Sequence, residues 1–294
     1  MMNLTRIFTA LALMGACSTL MAAQDVSETR SVDADAYISV SNAFGEITVN
    51  AWDEDEVRVE GSLGDKVKEL IIRETGSGLL IEVKNPRNTF MRNHNQRDLD
   101  SYLELMVPVG ASLEAESVSA DIHVTGVAGK HLGVSSVSGE IDLEVQSDDV
   151  EAESVSGDIE YRGSSTVTSI ESVSGEIAIT GVHGELSASS VSGDIVVDAG
   201  ELADASFETV SGEVEITASL SSNARVSVES LSGDVTLNLP SSVSARFEAS
   251  TFSGDINSDF GDRDSEDSME FTTGDGGARV RLESFSADIE INSN

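Results

Sequence analysis

Residues 132–143 read LGVSSVSGEIDL, and residues 150–161 read VEAESVSGDIEY. One phrase is common to both: an apolar residue, then Ser, Gly or Ala, an acid, and Ile or Val. It begins nine times, at Val118, Val137, Val155, Val173, Val191, Val210, Leu231, Phe252 and Phe285. Repetition at such a period is the mark of a solenoid, in which each copy is one rung. A single rung cannot bury its apolar face alone, so the copies must stack into an elongated β structure.

The register extends beyond the phrase. With the leading apolar residue as position zero, apolar or small residues recur at minus five, minus three, plus four and plus six. The second copy supplies Leu132, Val134, Val137, Ile141 and Leu143, and the ninth supplies Val280, Leu282, Phe285, Ile289 and Ile291. Spacing of two within each half is strand alternation. The step of three from minus three to zero breaks that parity and puts a corner there. This reading places position zero inside, with Phe252 and Phe285 counted as core aromatics beside Phe207 and Phe247. No stretch of the repeat sustains a 3.6 period. The fold expected is all-β, a single-stranded β-solenoid (β-helix-like) with about nine regular rungs of 18–21 residues and an irregular N-terminal cap.

Organisation follows from the same register. Residues 113–294 are the regular repeats, continuous with an entry rung and capping strands at 24–112. A degenerate tenth copy runs through Ile38, Val40, Ala43, Gly45, Glu46, Ile47 and Val49. Residues 57–60, 70–73, 79–83 and 102–107 read as further strands. An atypical end is expected because an exposed last rung would recruit other chains.

Residues 1–23 read as a secretory signal: Arg6, an apolar run from Ile7 to Ala16, and small residues at Ala22 and Ala23. The run is too short to span a bilayer, so no transmembrane helix is expected in the mature chain. The expected location is extracytoplasmic: periplasm, cell envelope or secreted. Cys17 is the only cysteine, and Met14-Gly15-Ala16-Cys17 resembles a bacterial lipobox, which makes Cys17 a candidate lipidation site. No structural disulfide can form within a monomer. The formal net charge of −36 excludes nucleic acid as a partner and opposes anionic lipid, since both require Lys and Arg.

Stacking aligns equivalent positions about 4.8 Å apart. Position plus one is Ser in every copy, and position minus one is Ser or Thr, for example Ser136, Ser172, Thr209 and Thr251. Hydroxyls beside a bend bond local backbone groups, and these repeat without a base, so a structural role is expected. Position plus two is Gly in seven copies and Ala at Ala120 and Ala287, which favours crowding over positive φ as the reason. Position plus three is acidic throughout: Asp121, Glu140, Asp158, Glu176, Asp194, Glu213, Asp234, Asp255 and Asp288. This row is the candidate interaction ladder. Like charges at rung spacing repel by about 1 kcal/mol per pair in water, a tolerable cost, so the row does not by itself demand a ligand. A second acidic set stands at minus two: Glu116, Glu153, Glu171, Glu208, Glu229 and Glu283.

No cofactor and no metal site are expected. Ca²⁺ is the one candidate cation, because divalent ions bridge adjacent carboxylates, but the glycine–aspartate loop of calcium solenoids is absent. The loop 259–277, with Asp262, Asp264, Glu266, Asp267 and Glu270, lacks the ordered glycine and terminal Glu of an EF-hand. The loop 84–100 is locally basic through Lys84, Arg87, Arg92 and Arg97. His94, His123, His131 and His183 show no metal-ligand spacing, and no nucleophile elbow or phosphate loop occurs. Acid pairs at glycosidase-like separation are too abundant here to point to a site.

The repeated Ser-Val-Ser-Gly-Asp/Glu-Ile phrase resembles the bacterial family labelled DUF4097, described as adhesin-like. Gly45-Glu46-Ile47-Thr48-Val49, followed by Trp52-Asp53 and Val57-Arg58-Val59, is similar to that family's entry strands. The resemblance covers about residues 32–294. It implies an exported β-solenoid, with no catalytic residues to carry over. The function expected is a non-enzymatic adhesin-like or envelope interaction scaffold for a protein or cell-surface partner. The alternatives are a polysaccharide-active β-helix enzyme, against which aromatics of 4% and an uninterrupted repeat both argue, and an envelope-stress or signalling component.

Overall fold

The computed structural model describes residues 24–86, 96–260 and 267–294. The leader with Cys17, the residues Arg87, Arg92 and His94, and the acids Asp262, Asp264 and Glu266 lie outside the described residues.

The chain is an all-β solenoid. In the regular part each rung contributes two short strands separated by a corner: His131–Ser136 and Ile141–Val145, then Asp149–Ser154 and Ile159–Gly163, then Val167–Ser172 and Ile177–Thr180. Like sits beside like, in parallel. Leu132 pairs with Val150, Val150 with Thr168 and Thr168 with Leu186. On the second face Ile141, Ile159, Ile177 and Ile195 form one unbroken column. Rungs of equal length with β-branched residues at equal offsets have only this register available, because a slip of one residue would turn the apolar set outward. Inward residues of both faces join one core running from Ala36 to Ile291. Its largest members include Tyr161, Phe207 and Phe247. The buried Tyr161 hydroxyl donates to Ser165 Oγ at 3.1 Å, and Ser165 is bonded in turn to Thr168.

Glycine at plus two answers to crowding. A Cβ on Gly157 would lie 2.0 Å from the carbonyl oxygen of Gly139, and one on Gly193 would lie 1.9 Å from that of Gly175. Neither residue has positive φ. Each carbonyl thus points at the bare Cα of the rung above.

Succession along the chain is not succession in space at either end. The first repeat, Tyr37–Trp52, lies between Ser112–Thr125 on one side and Gly78–Lys84 with Ser101–Pro108 on the other. The terminal rung of that end is therefore the second one made. Its outer edge is covered by antiparallel strands: Glu69–Glu74 on Gly78–Lys84, and Glu56–Leu63 on Ser101–Pro108, with Gln24–Ser31 beyond.

The C-terminal end repeats the device. Ala278–Ser284 lies between residues 225–230 and Ala245–Thr251. Ile289–Ser293 lies between Val235–Leu239 and Ile256–Ser258. The ninth copy is thus sandwiched between the seventh and the eighth. The segment read as a long loop supplies Ser268–Thr272, which pairs antiparallel on the free edge of Ala245–Thr251. Phe271 on that strand stacks on buried Phe247 at 4.6 Å between centroids, and Phe260 follows at 6.0 Å. Reversing direction terminates the parallel ladder on both faces at the N-terminal end and on the Ala245–Thr251 face at the C-terminal end, so an incoming rung of the same kind finds no full template.

Among the described residues the only helical element noted is a 3₁₀ turn, Gln96–Asp98. No helix among them is long and apolar enough to cross a membrane.

Candidate functional site: a groove along the corner

The site is built from the corner that each phrase encodes. From the second copy to the seventh the hydroxyl at minus one is buried and accepts a hydrogen bond from the glycine amide at plus two. Gly139 N–H donates to Ser136 Oγ at 2.8 Å, Gly157 to Ser154 at 2.9 Å and Gly212 to Thr209 Oγ1 at 3.0 Å. Backbone stacking continues through the bend: Val155 N–H donates to Ser136 O at 3.3 Å, and Ser156 N–H to Val137 O at 3.0 Å. The plus-one hydroxyl fastens one rung to the last. Ser156 Oγ donates to Val137 O at 3.1 Å, and Ser232 Oγ to Val210 O at 3.1 Å.

This geometry turns position zero outward. Val137, Val155, Val173, Val191, Val210 and Leu231 are each between 43% and 51% exposed, and Phe285 and Phe252 reach 55% and 74%. The expectation that these residues are core is overturned for all but half-buried Val118. The true inward register is minus five, minus three, minus one, plus two, plus four, plus six. Parity breaks between minus one and plus two, not between minus three and zero. What remains outside is a column of apolar side chains at rung spacing. It ends in the parallel-stacked pair Phe252 and Phe285, whose centroids are 5.0 Å apart.

The bend makes the column one wall of a groove of about 990 Å³. The opposite wall is the minus-two row, with Glu153 and Glu171, then Ser189, then Glu208, Glu229 and Glu283, and serines Ser135 and Ser250 at its ends; the floor is the hydroxyl row. Glu153 is the direct neighbour of Glu171, and Glu208 of Glu229. Arg281 answers Glu283 at 2.6 Å, and that hydrogen bond raises the guanidinium pKa further. Among the described residues no other groove glutamate is ion-paired. In the sequence this row of glutamates by itself carries no signal of a role. The signal that could have found it is the uniform smallness of position minus one, which marks that residue, not the apolar one after it, as buried.

The candidate ladder at plus three lies past the corner, exposed from Asp121 to Asp288. Its aspartates have structural partners. Oδ1 of Asp121, Asp158 and Asp194 accepts the amide hydrogen of Glu140, Glu176 and Glu213 at 2.9–3.0 Å. Asp234 does the same for Asp288 at 3.0 Å, and Asp288 for Asp255 at 2.8 Å. Each such bond ties two rungs at the bend. Asp194→Ala is therefore expected to lower stability by about 1 kcal/mol, read as a lower urea midpoint, whereas Glu213→Gln leaves it unchanged. Equal midpoints for the two variants would return the whole row to the role of a solvated charge display.

Among the described residues no group of three or more His, Cys, Asp or Glu is arranged to hold a metal ion. His131 Nδ1 lies 3.0 Å from Asp149, and His183 Nδ1 accepts from Glu201 N–H at 3.2 Å. These contacts are away from the groove. Lys84 is bonded to Glu82, so that member of the basic loop is held locally.

The family model for Toastrack DUF4097 matches residues 36–234 and 220–292. Among solved structures, the chain is similar to a candidate adhesin from Parabacteroides distasonis ATCC 8503, at 13% identity and a TM-score of 0.57, with 92% of this chain and 98% of that chain covered. A candidate adhesin from Parabacteroides merdae ATCC 43184 is similar at 9% identity and a TM-score of 0.54, covering 92% and 97%. At these identities the likeness is one of fold. Among curated proteins none matches the chain.

Proposed function

Because the chain belongs to the Toastrack DUF4097 family, we propose that it is a non-enzymatic, exported interaction scaffold of the cell envelope that engages its partner along the corner groove. The observation that carries this reading is the apolar column. Solvent-facing apolar residues scattered singly need no explanation, but a contiguous strip flanked by charge marks an interaction surface. The strip is rigid, since each rung from Val137 to Leu231 is pinned at the bend by the hydroxyl and backbone bonds described above. A pre-formed surface loses little conformational entropy when a partner docks. Export is supported by the leader-like composition of residues 1–23, and adhesion by the description of proteins of like fold.

The test uses full-length protein and a quadruple variant, Val155→Thr, Val173→Thr, Val191→Thr and Val210→Thr. These exchanges keep shape and strand propensity at exposed positions. Binding to whole cells and envelope fractions should fall sharply for the variant while its unfolding midpoint holds. Equal binding by both proteins would sink the reading.

A further inference from the structure

We infer that the groove takes a basic, extended polypeptide segment, with Lys or Arg side chains on the glutamate wall and apolar side chains on the valine wall. This rests on the groove being the contact surface. Charge makes the first cut. At a net charge of −36 a second copy of this chain and anionic surfaces are both repelled. Locally the case is sharper. Glu153 directly neighbours Glu171, Glu208 neighbours Glu229, and Glu229 neighbours Glu283. Like charges in directly facing positions on adjacent strands are destabilising. Among the described residues only Glu283 of these is ion-paired, to Arg281, whose charge also acts on Glu229. The repulsion is tolerable without a ligand, but it makes an occupant that brings positive charge better matched to this wall than a neutral or anionic one.

The floor makes the second cut. From Ser136 to Ser230 its hydroxyl oxygens already accept from the glycine amides, as at Ser172 with Gly175 N–H, 2.9 Å, and Ser190 with Gly193 N–H, 2.8 Å; Ser284 Oγ, at the far end, has no such partner. Recognition therefore falls to the walls, one anionic and one apolar. A glycan would want aromatic platforms along its length, and the rings here, Phe285 and Phe252 stacked on it, stand together at one end of the column. An acyl chain would want apolar walls on both sides. An extended peptide with alternating cationic and apolar residues presents one kind to each wall, because successive side chains of a strand point to opposite faces. The column from Val137 to Phe285 spans seven rungs. Six steps of ~4.8 Å give about 29 Å, the length of about nine extended residues.

The probes are three labelled nine-residue peptides: alternating Lys and Val, alternating Lys and Ser, and alternating Glu and Val. Full-length protein should bind the Lys/Val peptide, bind Lys/Ser at least about tenfold more weakly, and ignore Glu/Val. The variant Glu153→Gln, Glu171→Gln, Glu208→Gln and Glu229→Gln should weaken Lys/Val binding at least about tenfold and flatten its salt dependence. Spermine should compete poorly, since charge alone does not use the valine wall. Equal binding of Lys/Val and Lys/Ser, effective competition by spermine, or indifference to the glutamate exchanges would each overturn the inference. If envelope binding needs the valine column but the Lys/Val peptide does not bind, the groove remains the contact surface and only its occupant is misassigned. If the valine exchanges change neither, both readings fall.

Discussion

Ending the chain after Gly277 is expected to unfold the C-terminal part of the stack, not to shorten it by one rung. The lost segment is sandwiched, so its removal separates residues 225–239 from the capped rung at Ala245–Thr251 and Ile256–Ser258. It also takes away Val280, Leu282, Ile289 and Ile291, all fully or nearly fully buried. Their burial alone amounts to about 6–12 kcal/mol, an upper estimate because unfolded chains are partly collapsed. The net stability of a folded domain is of the same order, about 5–15 kcal/mol. Two open parallel edges then face solvent, each a template for another chain. The truncated protein should elute as aggregate, or exchange its amides rapidly from about residue 225 onward. A soluble monomer with protected amides through Thr251 would mean that the ninth copy is the outermost rung after all.

That arrangement was not legible in the sequence, whereas the stack itself was. Equal offsets of Ile141, Ile159, Ile177 and Ile195 leave one register, and it is the register observed. The 33-residue interval from Phe252 to Phe285 gives the length of the connection but not where it returns. Strand pairing between distant segments depends on edges that exist only once the neighbours have folded. At the other end, Gly78–Lys84 and Ser101–Pro108 together form a rung without carrying the phrase, so repeat counting passes over them.

The corner misled for a different reason. Hydrophobicity argues that Val137 is inside and Ser136 outside, yet Ser136 is 5% exposed and Val137 is 45% exposed. The competing physics is the hydrogen bond. An amide at a bend with no partner costs about 1–3 kcal/mol if buried, comparable with what half a valine side chain gains by burial. A small hydroxyl facing inward satisfies the Gly139 amide, and the valine is displaced to the surface. Because the exchange recurs from the second copy to the seventh, a local concession becomes a continuous strip. The same repetition puts Glu153 beside Glu171, so the groove's apolar wall and its charged wall have one origin. The plus-three acids, singled out by their invariance, owe that invariance in part to backbone bonds such as Asp194 to the Glu213 amide.

Gly175→Ala should destabilise the protein by about 3 kcal/mol or more, although the same exchange elsewhere is stabilising. Alanine restricts the unfolded chain and so favours folding by about 0.4–1 kcal/mol where the native backbone accepts it. At Gly175 it does not. The new Cβ would stand 2.0 Å from the carbonyl oxygen of Gly157 and 2.6 Å from its carbon. The struck atoms are backbone, held from both sides, so no rotamer change relieves them. Opening the gap by the required ångström or so would stretch the Gly175 N–H to Ser172 Oγ bond, 2.9 Å, and the Ile159 N–H to Glu176 O bond, 2.9 Å. Overpacking of a well-filled interior costs about 1–3 kcal/mol even where side chains can yield, and here none can. Gly76→Ala is the control, since a Cβ there meets nothing within 4 Å and φ is not positive. Urea midpoints should therefore move in opposite directions, Gly76→Ala slightly up and Gly175→Ala well down, with Gly193→Ala following Gly175→Ala because its Cβ meets the Gly175 oxygen at 1.9 Å. A Gly175→Ala midpoint at or above that of the wild type would show that the carbonyls do not point rung to rung, and the corner geometry that turns the valines outward would go with them.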